Sequence, residues 1–261
     1  MSKHRVFVLD PYHSTAIDLL IKDDTIDLVT NQDPRVKNWK GEAEGLMIRS
    51  ETRLSAQDLN DAKKLRVIVK QGVGIDNVDL EAAKQLGITV CNTPGMNSEA
   101  VAELTLSLAL SVARRVNELD RRIRSGEKIV RSLALGQSLY KKTIGIVGMG
   151  NIGRVVARKW IGAMEGAVIA YDPLAPKDVW SDIAHRRVGT LEELISEADV
   201  VTLHVPLTAD TKNMIGKEQF SRMKPSTIFI NAARGGVVNE AALLEALTSK
   251  KIYGAALDAS E

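Results

Sequence analysis

The stretch TIGIVGMGNIGR, residues 143–154, decides the fold of this chain. A short apolar run ends at Gly148, further glycines follow at Gly150 and Gly153, and an amphipathic segment comes next. The pattern predicts a buried strand, a tight turn and a helix. Gly148 permits the turn, Gly150 lets the backbone approach a diphosphate, and Gly153 lets the helix pack closely on the strand.

The next strand candidate, AVIAYD, ends in Asp172, at about the distance from the glycines that dinucleotide-binding folds show. Its carboxylate can accept hydrogen bonds from both ribose hydroxyls and would repel a 2′-phosphate. The start of the predicted helix, at Asn151 and Ile152, offers N–H groups and a partial positive charge to the phosphates. The sequence therefore predicts an NAD site and favours NAD over NADP.

The composition is that of an ordinary globular protein. The chain has 261 residues, of which 44% are hydrophobic and 26% charged, with a formal net charge of +2. This length accommodates two domains. The small net charge gives no reason to expect a nucleic-acid or membrane partner, and no metal site is predicted. The basic stretch 113–128 contains interleaved acids, which is typical of a solvated helix face.

Cys91 is the only cysteine, which excludes an internal disulfide framework and favours a reducing compartment. We interpret its thiol as part of the core. The N-terminal apolar run is too short for a secretory signal, and the longest apolar stretch, 104–113, is about half of a membrane span. We therefore expect a cytoplasmic protein.

Short β-branched runs alternate with amphipathic segments, which predicts parallel sheets covered by helices on both faces. The predicted strands are 6–9, 45–48, 67–70, 89–91, 143–147, 168–171, 200–204, 227–231 and 253–257. The predicted helices include 56–62, 80–85, 152–164 and 240–249. Capping boxes are expected at Ser55 with Asp58 and at Thr190 with Glu193.

One long helical pattern interrupts this alternation, from Asn97 to about Arg124. Its first half is apolar on nearly every face, so we expect burial on all sides, at a domain junction or a subunit interface. A boundary near residue 95 divides the chain into domains of residues 1–94 and 95–261.

Polar residues follow the later strands of the second domain. His204, Val205 and Pro206 end one strand, Ala232 to Arg234 end the next, and Asp258 ends a third. Because ligands in such sheets bind beyond the carboxyl ends of the strands, we expect these residues at the same crevice. The guanidinium of Arg234 suits a carboxylate bidentately; a structural ion pair is the alternative.

Several ordered segments resemble the D-isomer-specific 2-hydroxyacid dehydrogenases. They are GVGIDNVD (72–79), NTPGMNSEAVAELTLSLAL (92–110), GIVGMGNIGR (145–154), HVPLTADT (204–211), NAARGGVVNEAALLEAL (231–247) and GAALD (254–258). The resemblance implies two doubly wound α/β domains, a flavodoxin-like substrate domain and a Rossmann NAD-binding domain. It also implies a homodimer built largely on the long helix, and hydride exchange between nicotinamide and C2 of a 2-hydroxy acid.

The resemblance also assigns roles to single residues. Arg234 resembles the catalytic arginine that grips the substrate's carboxylate and carbonyl oxygens. Asp258 and the carbonyl of Ala232 resemble the partners of the nicotinamide carboxamide. The N–H groups of Val73 and Gly74 resemble a cradle for the substrate carboxylate.

Within the family, the chain is most similar to the phosphoglycerate dehydrogenase branch. Arg49, Lys70 and Arg131 fall where that branch places cations toward the substrate phosphate, and Asn97 matches its substrate asparagine. The alternative is that these are surface charges. Glyoxylate, hydroxypyruvate and lactate types of substrate remain open.

The family's catalytic glutamate and histidine have no match in this sequence. The glutamate would fall about two residues past Glu261, so the resemblance implies a nucleotide domain truncated at its C-terminus. Three hypotheses follow: an incomplete dehydrogenase, a truncated homologue that binds NAD(H) and partners without turnover like corepressor relatives, or a base supplied from elsewhere, such as another subunit.

Overall fold

Strands and helices alternate along the computed structural model, which describes residues 3–260. The chain forms two compact units, Met1–Asn97 and Ser98–Glu261, called here the first and second units. Within residues 3–260, none of the helices combines the length and the apolar composition that a membrane span requires.

The first unit contains one parallel sheet. Its strands are β1 (His4–Val8), β2 (Ile26–Val29), β3 (Gly45–Ile48), β4 (Val67–Lys70) and β5 (Thr89–Asn92). Its helices are α1 (Ser14–Ile21), α2 (Trp39–Glu42), α3 (Ala56–Asp61) and α4 (Leu80–Gln85). The strand order β2-β1-β3-β4-β5 confirms the expected flavodoxin-like arrangement.

The second unit contains the other parallel sheet. Its helices are α5 (Ser98–Ala113), α6 (Val116–Arg124), α7 (Asn151–Met164), α8 (Leu191–Glu197), α9 (Lys217–Arg222) and α10 (Glu240–Thr248). Its strands are β6 (Ile144–Val147), β7 (Val168–Tyr171), β8 (Arg186–Arg187), β9 (Val200–Leu203), β10 (Ile228–Asn231) and β11 (Gly254–Leu257). The order β11-β10-β9-β6-β7-β8 is that of a Rossmann sheet. From β6 the chain adds strands toward one edge of the sheet as far as β8, and from β9 it adds them toward the other edge, so the strand order reverses between β6 and β9.

The central strands of the second sheet have no exposed side. Every residue of β6, β9 and β10 is buried, as expected for parallel strands covered by helices on both faces. Their continuous apolar sequences made them easy to predict, whereas β2 and β8 were missed. Both missed strands carry charged residues, and each lies at the edge of its sheet.

Both predicted helix caps form, one of them in part. At Ser55 the capping box is complete. The Asp58 carboxylate accepts from the backbone N–H of Ser55, and the Ser55 hydroxyl accepts from the backbone N–H of Asp58. At Thr190 the hydroxyl accepts from the N–H of Glu193 at 3.2 Å. The Glu193 carboxylate, however, accepts from the N–H of Gly189 rather than from Thr190.

The prediction of one long helix from Asn97 to Arg124 is wrong, because the helix breaks between α5 and α6. Arg115 adopts a left-handed conformation with φ of 57°, which ends the first helical axis. Its guanidinium pairs with Glu118 at 2.6 Å and also reaches the carbonyl of Leu135. These contacts stabilise a turn that helical periodicity alone did not indicate.

Within the single chain α5 is buried on one side, and burial of its other sides in a subunit interface stays a prediction. Small residues such as Ala102 and Ala109 form its buried face, which packs against α7, β10 and β11. Leu104 and Leu110 remain 36% and 39% exposed. The small side chains let α5 approach its neighbours closely, while Leu106 and Leu108 pack partly against the same core.

Cys91 was expected in the core, but it is exposed. It lies on β5, an edge strand of the first sheet. Exposed and half-buried residues alternate along this strand, so the face that carries Cys91 meets solvent.

Candidate functional site

A pocket of about 780 Å³ lies beyond β6 and β9, where the order of the second sheet reverses. Ligands of open α/β sheets bind at this topological switch point. The structure brings together seven residues that the sequence predicts for the cofactor: Gly148, Gly150, Asn151, Asp172, His204, Val205 and Pro206. The other two predicted residues, Ile152 and Gly153, lie directly after Asn151 in the first turn of α7.

The three glycines of the turn differ in what surrounds them. A Cβ atom at Gly148, whose φ is +100°, would lie 2.5 Å from the carbonyl oxygen of His204. A Cβ atom at Gly153 would lie 2.3 Å from the carbonyl oxygen of Gly148. Gly150 has no atom within 4 Å of such a Cβ, so the protein's own packing does not require glycine there. Open space at the N-terminus of α7 fits a diphosphate, and the residues present fit a dinucleotide.

The carboxylate of Asp172 is engaged with the backbone around the pocket. One oxygen accepts from the N–H of Met149 at 2.9 Å. The other accepts from the N–H groups of Leu174 and Ala175 at 2.9 and 3.1 Å. A carboxylate offers about four acceptor positions, so Asp172 fixes the pocket wall and keeps acceptor capacity for a ribose hydroxyl.

His204 is partly buried and lines the same pocket. Its Nε2 lies 3.1 Å from the hydroxyl of Thr202. Its Nδ1 is buried and has no hydrogen-bond partner among the described residues. Burial lowers the pKa of His204 to about 3, so its ring is neutral at neutral pH and is poorly suited to be a general base.

Ala232, Arg234 and Asp258 follow β10 and β11 at the same edge of the sheet, but they do not line this pocket. The guanidinium of Arg234 donates to the carbonyl of Ala233 at 2.8 Å. Glu261, which the sequence places too early for the family's catalytic carboxylate, lies outside the described residues.

Asn231 holds these strand ends together, and it was not among the predicted site residues. Its amide nitrogen donates to the carbonyls of Arg234 and Ala259 at 2.8 and 3.2 Å. Its amide oxygen accepts from the N–H of Ala233 at 3.1 Å. Asn231 is 1% exposed. The sequence did contain a signal for this role, since Asn231 is a polar residue at the end of the buried run IFIN. A buried amide requires hydrogen-bond partners.

The loop after Asp172 also lines the pocket and was not predicted. It contributes Leu174, Ala175, Pro176 and Trp180. Two prolines in this stretch marked a loop, but no local pattern indicated which way it folds.

In the first unit, side-chain hydrogen bonds hold the loop that follows β3. Buried Asp10 accepts from the backbone N–H of Arg49 and from the Thr52 hydroxyl. The Asn77 amide donates to the carbonyls of Arg49 and Thr52 at 2.8 and 2.6 Å. The side chain of Arg49 is thus presented from a fixed backbone at the carboxyl edge of the first sheet.

Lys70, Val73 and Gly74, which were also predicted to bind substrate, lie at the end of β4 or just after it. Lys70 is 3% exposed, and its Nζ lies 3.5 Å from the Ser50 hydroxyl, so it is packed into the unit rather than projecting into solvent. The Asn92 amide donates to the carbonyl of Val73 at 2.7 Å. Among the described residues, no protein acceptor is found for the N–H groups of Val73 and Gly74.

Two predicted substrate residues lie elsewhere in the chain. Asn97 is the last residue of the first unit. Arg131 belongs to the second unit, where it is exposed at the start of a short 3-10 helix, Arg131–Leu133.

Comparisons with known proteins agree with this geometry. The model of the "D-isomer specific 2-hydroxyacid dehydrogenase, NAD binding domain" family matches residues 106–261. A D-3-phosphoglycerate dehydrogenase of Methanocaldococcus jannaschii is 40% identical over 98% of this chain and 49% of its own length. A hydroxypyruvate reductase of Thermotoga maritima is 36% identical over 100% of this chain and 84% of its own length.

A solved structure shows the same fold. The D-lactate dehydrogenase of Aquifex aeolicus, complexed with NAD and lactic acid, aligns with a TM-score of 0.85 at 30% identity, covering 99% of this chain and 77% of its own. The present chain spans about half the length of the D-3-phosphoglycerate dehydrogenases it matches. With a family match over more than half of its residues, the chain belongs to the D-isomer specific 2-hydroxyacid dehydrogenases, and its pocket lies in the domain that binds NAD in this family.

Proposed function

We propose that this chain acts as an NAD-dependent oxidoreductase on a D-2-hydroxy acid, with 3-phosphoglycerate and 3-phosphohydroxypyruvate as its substrate pair. The observation that carries the proposal is the pocket at the switch point of the second sheet. There, Gly150 leaves room for a diphosphate and Asp172 offers an acceptor to a ribose. When bound, NAD would supply or accept the hydride.

The protein's own contribution is to hold the cofactor and the reacting acid. The N-terminus of α7 would bind the diphosphate, and Asp172 the adenosine ribose. The carbonyl of Ala232 and the side chain of Asp258 would orient the carboxamide. Asn231 supports this assignment, because it fixes the backbone that follows both strands.

We assign substrate binding to Arg234 and to the carboxyl edge of the first sheet. The guanidinium of Arg234 would grip the carboxylate and polarise the carbonyl oxygen on which negative charge develops. In the first unit, the N–H groups of Val73 and Gly74 would bind a substrate carboxylate.

The preference for a phosphorylated acid rests on cations. In the first unit, Arg49, Lys70 and Asn97 would bind the phosphate. In the second unit, considered by itself, Arg131 is the cation assigned to a phosphate. The loop that presents Arg49 is held in place by Asp10, and the M. jannaschii relative carries the phosphoglycerate name. Hydroxypyruvate, named for the T. maritima relative, and glyoxylate are the alternative substrates.

We also propose that the protein is a cytoplasmic homodimer. The exposed Leu104 and Leu110 of α5 support the dimer, since apolar side chains on the surface of one helix suit a subunit interface. The single cysteine supports the cytoplasm as the compartment, because one cysteine forms no internal disulfide.

The test combines NADH binding with NADH oxidation by the 261-residue chain. Calorimetric titration measures binding, and NADH absorbance follows the reaction with 3-phosphohydroxypyruvate, hydroxypyruvate or glyoxylate. We expect binding, and the highest kcat/KM with 3-phosphohydroxypyruvate. Binding without turnover would favour the alternative function, an NAD(H)-binding protein that resembles the corepressor relatives. Failure to bind NADH would contradict both functions.

A further inference from the structure

Arg187 holds the backbone of the loop that follows Asp172, although it does not itself line the pocket. Its guanidinium donates to the carbonyl oxygens of Asp172 and Ala175 at 2.6 and 2.8 Å. It also donates to the carbonyl oxygen of Pro176 at 2.8 Å. Hydrogen bonds from a charged donor are stronger than neutral ones, and the planar guanidinium is a rigid fork with several donors.

The same loop is held from its other side by Asp172. The carboxylate of Asp172 accepts from the N–H groups of Leu174 and Ala175, and from Met149 in the glycine-rich turn. Carbonyl groups of the loop therefore turn toward Arg187, while N–H groups turn toward Asp172. This division fixes both the path of residues 172–176 and the direction of the Asp172 carboxylate.

The loop forms one wall of the pocket through Leu174, Ala175 and Pro176. We propose that Arg187 is a positioning residue that sets the affinity and selectivity of the pocket for the adenosine ribose of NAD(H). The inference rests on the proposed role of Asp172 toward that ribose. A fixed carboxylate accepts the ribose hydroxyl and repels a 2′-phosphate, whereas a carboxylate on a loosened loop does both less well.

The neighbouring residue provides a matched control. Arg186 lies beside Arg187 on β8 and carries the same charge. Its guanidinium forms ion pairs with Glu193, at 2.7 Å, and with Glu197, both on α8. Replacing Arg186 therefore removes a cation from the same strand without removing a hydrogen bond to the loop.

The experiment compares the wild-type chain with Arg187→Met, Arg187→Lys and Arg186→Met. Calorimetric titration measures the Kd of NADH, NADPH and ADP-ribose for each. For Arg187→Met we expect the Kd of NADH and of ADP-ribose to rise about tenfold, and the Kd of NADPH to rise less than about threefold. Arg187→Lys keeps the charge but cannot span three carbonyls, so it should lie between. Arg186→Met should stay within about twofold of wild type.

The ratio of the NADH and NADPH constants is the deciding readout, because partial unfolding would weaken both ligands alike. An unchanged ratio in Arg187→Met, or an equal change in Arg186→Met, would overturn the inference while leaving the cofactor site intact. If Arg187→Met does not fold, the ratio in Arg187→Lys decides. Absence of NADH binding to the wild-type chain would overturn the proposed cofactor site and this inference together.

Discussion

The carboxylate of Asp172 accepts a hydrogen bond of 2.9 Å from the backbone N–H of Met149, and so joins the end of β7 to the turn after β6. Asp172 directly follows β7, the strand beside β6, and its carboxylate bonds the glycine-rich turn itself. A residue expected to recognise a ribose thus also shapes the site that receives it.

Asp172→Asn should weaken both the fold and NADH binding. An amide has one oxygen in place of two and turns an N–H₂ group toward backbone N–H donors, which should lower the free energy of unfolding by about 1–3 kcal/mol. We expect the Kd of NADH to rise about tenfold or more. Asp178→Asn, in the exposed part of the same loop, is the control for charge. Equal effects of the two changes on urea unfolding and on calorimetric Kd would contradict the assignment.

Gly150→Ala and Gly153→Ala should separate binding from stability. The new methyl group at Gly150 enters open space, so unfolding in urea should stay within about 0.5 kcal/mol of wild type while NADH binding is lost. At Gly153 the methyl group would clash with the carbonyl of Gly148, and we expect a loss of about 1–3 kcal/mol. Wild-type NADH affinity in Gly150→Ala would show that the diphosphate does not bind at this glycine.

Stability should depend on pH through His204. Its pKa is about 3 in the folded chain and ordinarily 6.5. Between these values the unfolded chain binds a proton that the folded chain does not, so acidification destabilises the fold by roughly 1 kcal/mol per pH unit from this group. Urea unfolding of wild type and His204→Gln across this range should show the slope difference. Parallel pH profiles would mean that His204 titrates normally in the folded state.

Arg49→Gln should affect phosphorylated substrates selectively. If Arg49 binds the phosphate, its loss should raise KM for 3-phosphohydroxypyruvate about tenfold or more and leave hydroxypyruvate nearly unchanged. Arg35→Gln, which removes an exposed cation paired with Asp33, should change neither. A similar change for both substrates would argue that Arg49 supports the fold and does not read the phosphate.

Leu110→Glu should disrupt the proposed dimer. A charge placed on the outward face of α5 would be desolvated in an interface, so sedimentation should show a monomer at concentrations where wild type is dimeric. Leu244→Glu is the control, since Leu244 is 63% exposed on α10. A monomeric wild type, or an unchanged dimer in Leu110→Glu, would exclude an interface at Leu110.

Much of the fold could be predicted because its signals are local. Continuous apolar runs marked the buried strands β6, β9 and β10, and Gly148 and Gly150 marked the turn between β6 and α7. The ends of these elements were predicted within a residue or two. The edge strand β8 was missed, because a charged two-residue strand has no periodicity to detect.

By itself the sequence determined which residues end the strands of a parallel sheet, and therefore which of them gather at one edge. The tertiary structure alone decided how those ends are held. Asn231 bridges two strand ends, and Arg187 holds the loop after Asp172. At Arg115, whose φ is positive, the helix that periodicity predicted to be continuous is interrupted. The physical reason is that a buried polar group must find its partner wherever the folded chain provides one, and such a partner can lie far along the sequence, where no local pattern records it.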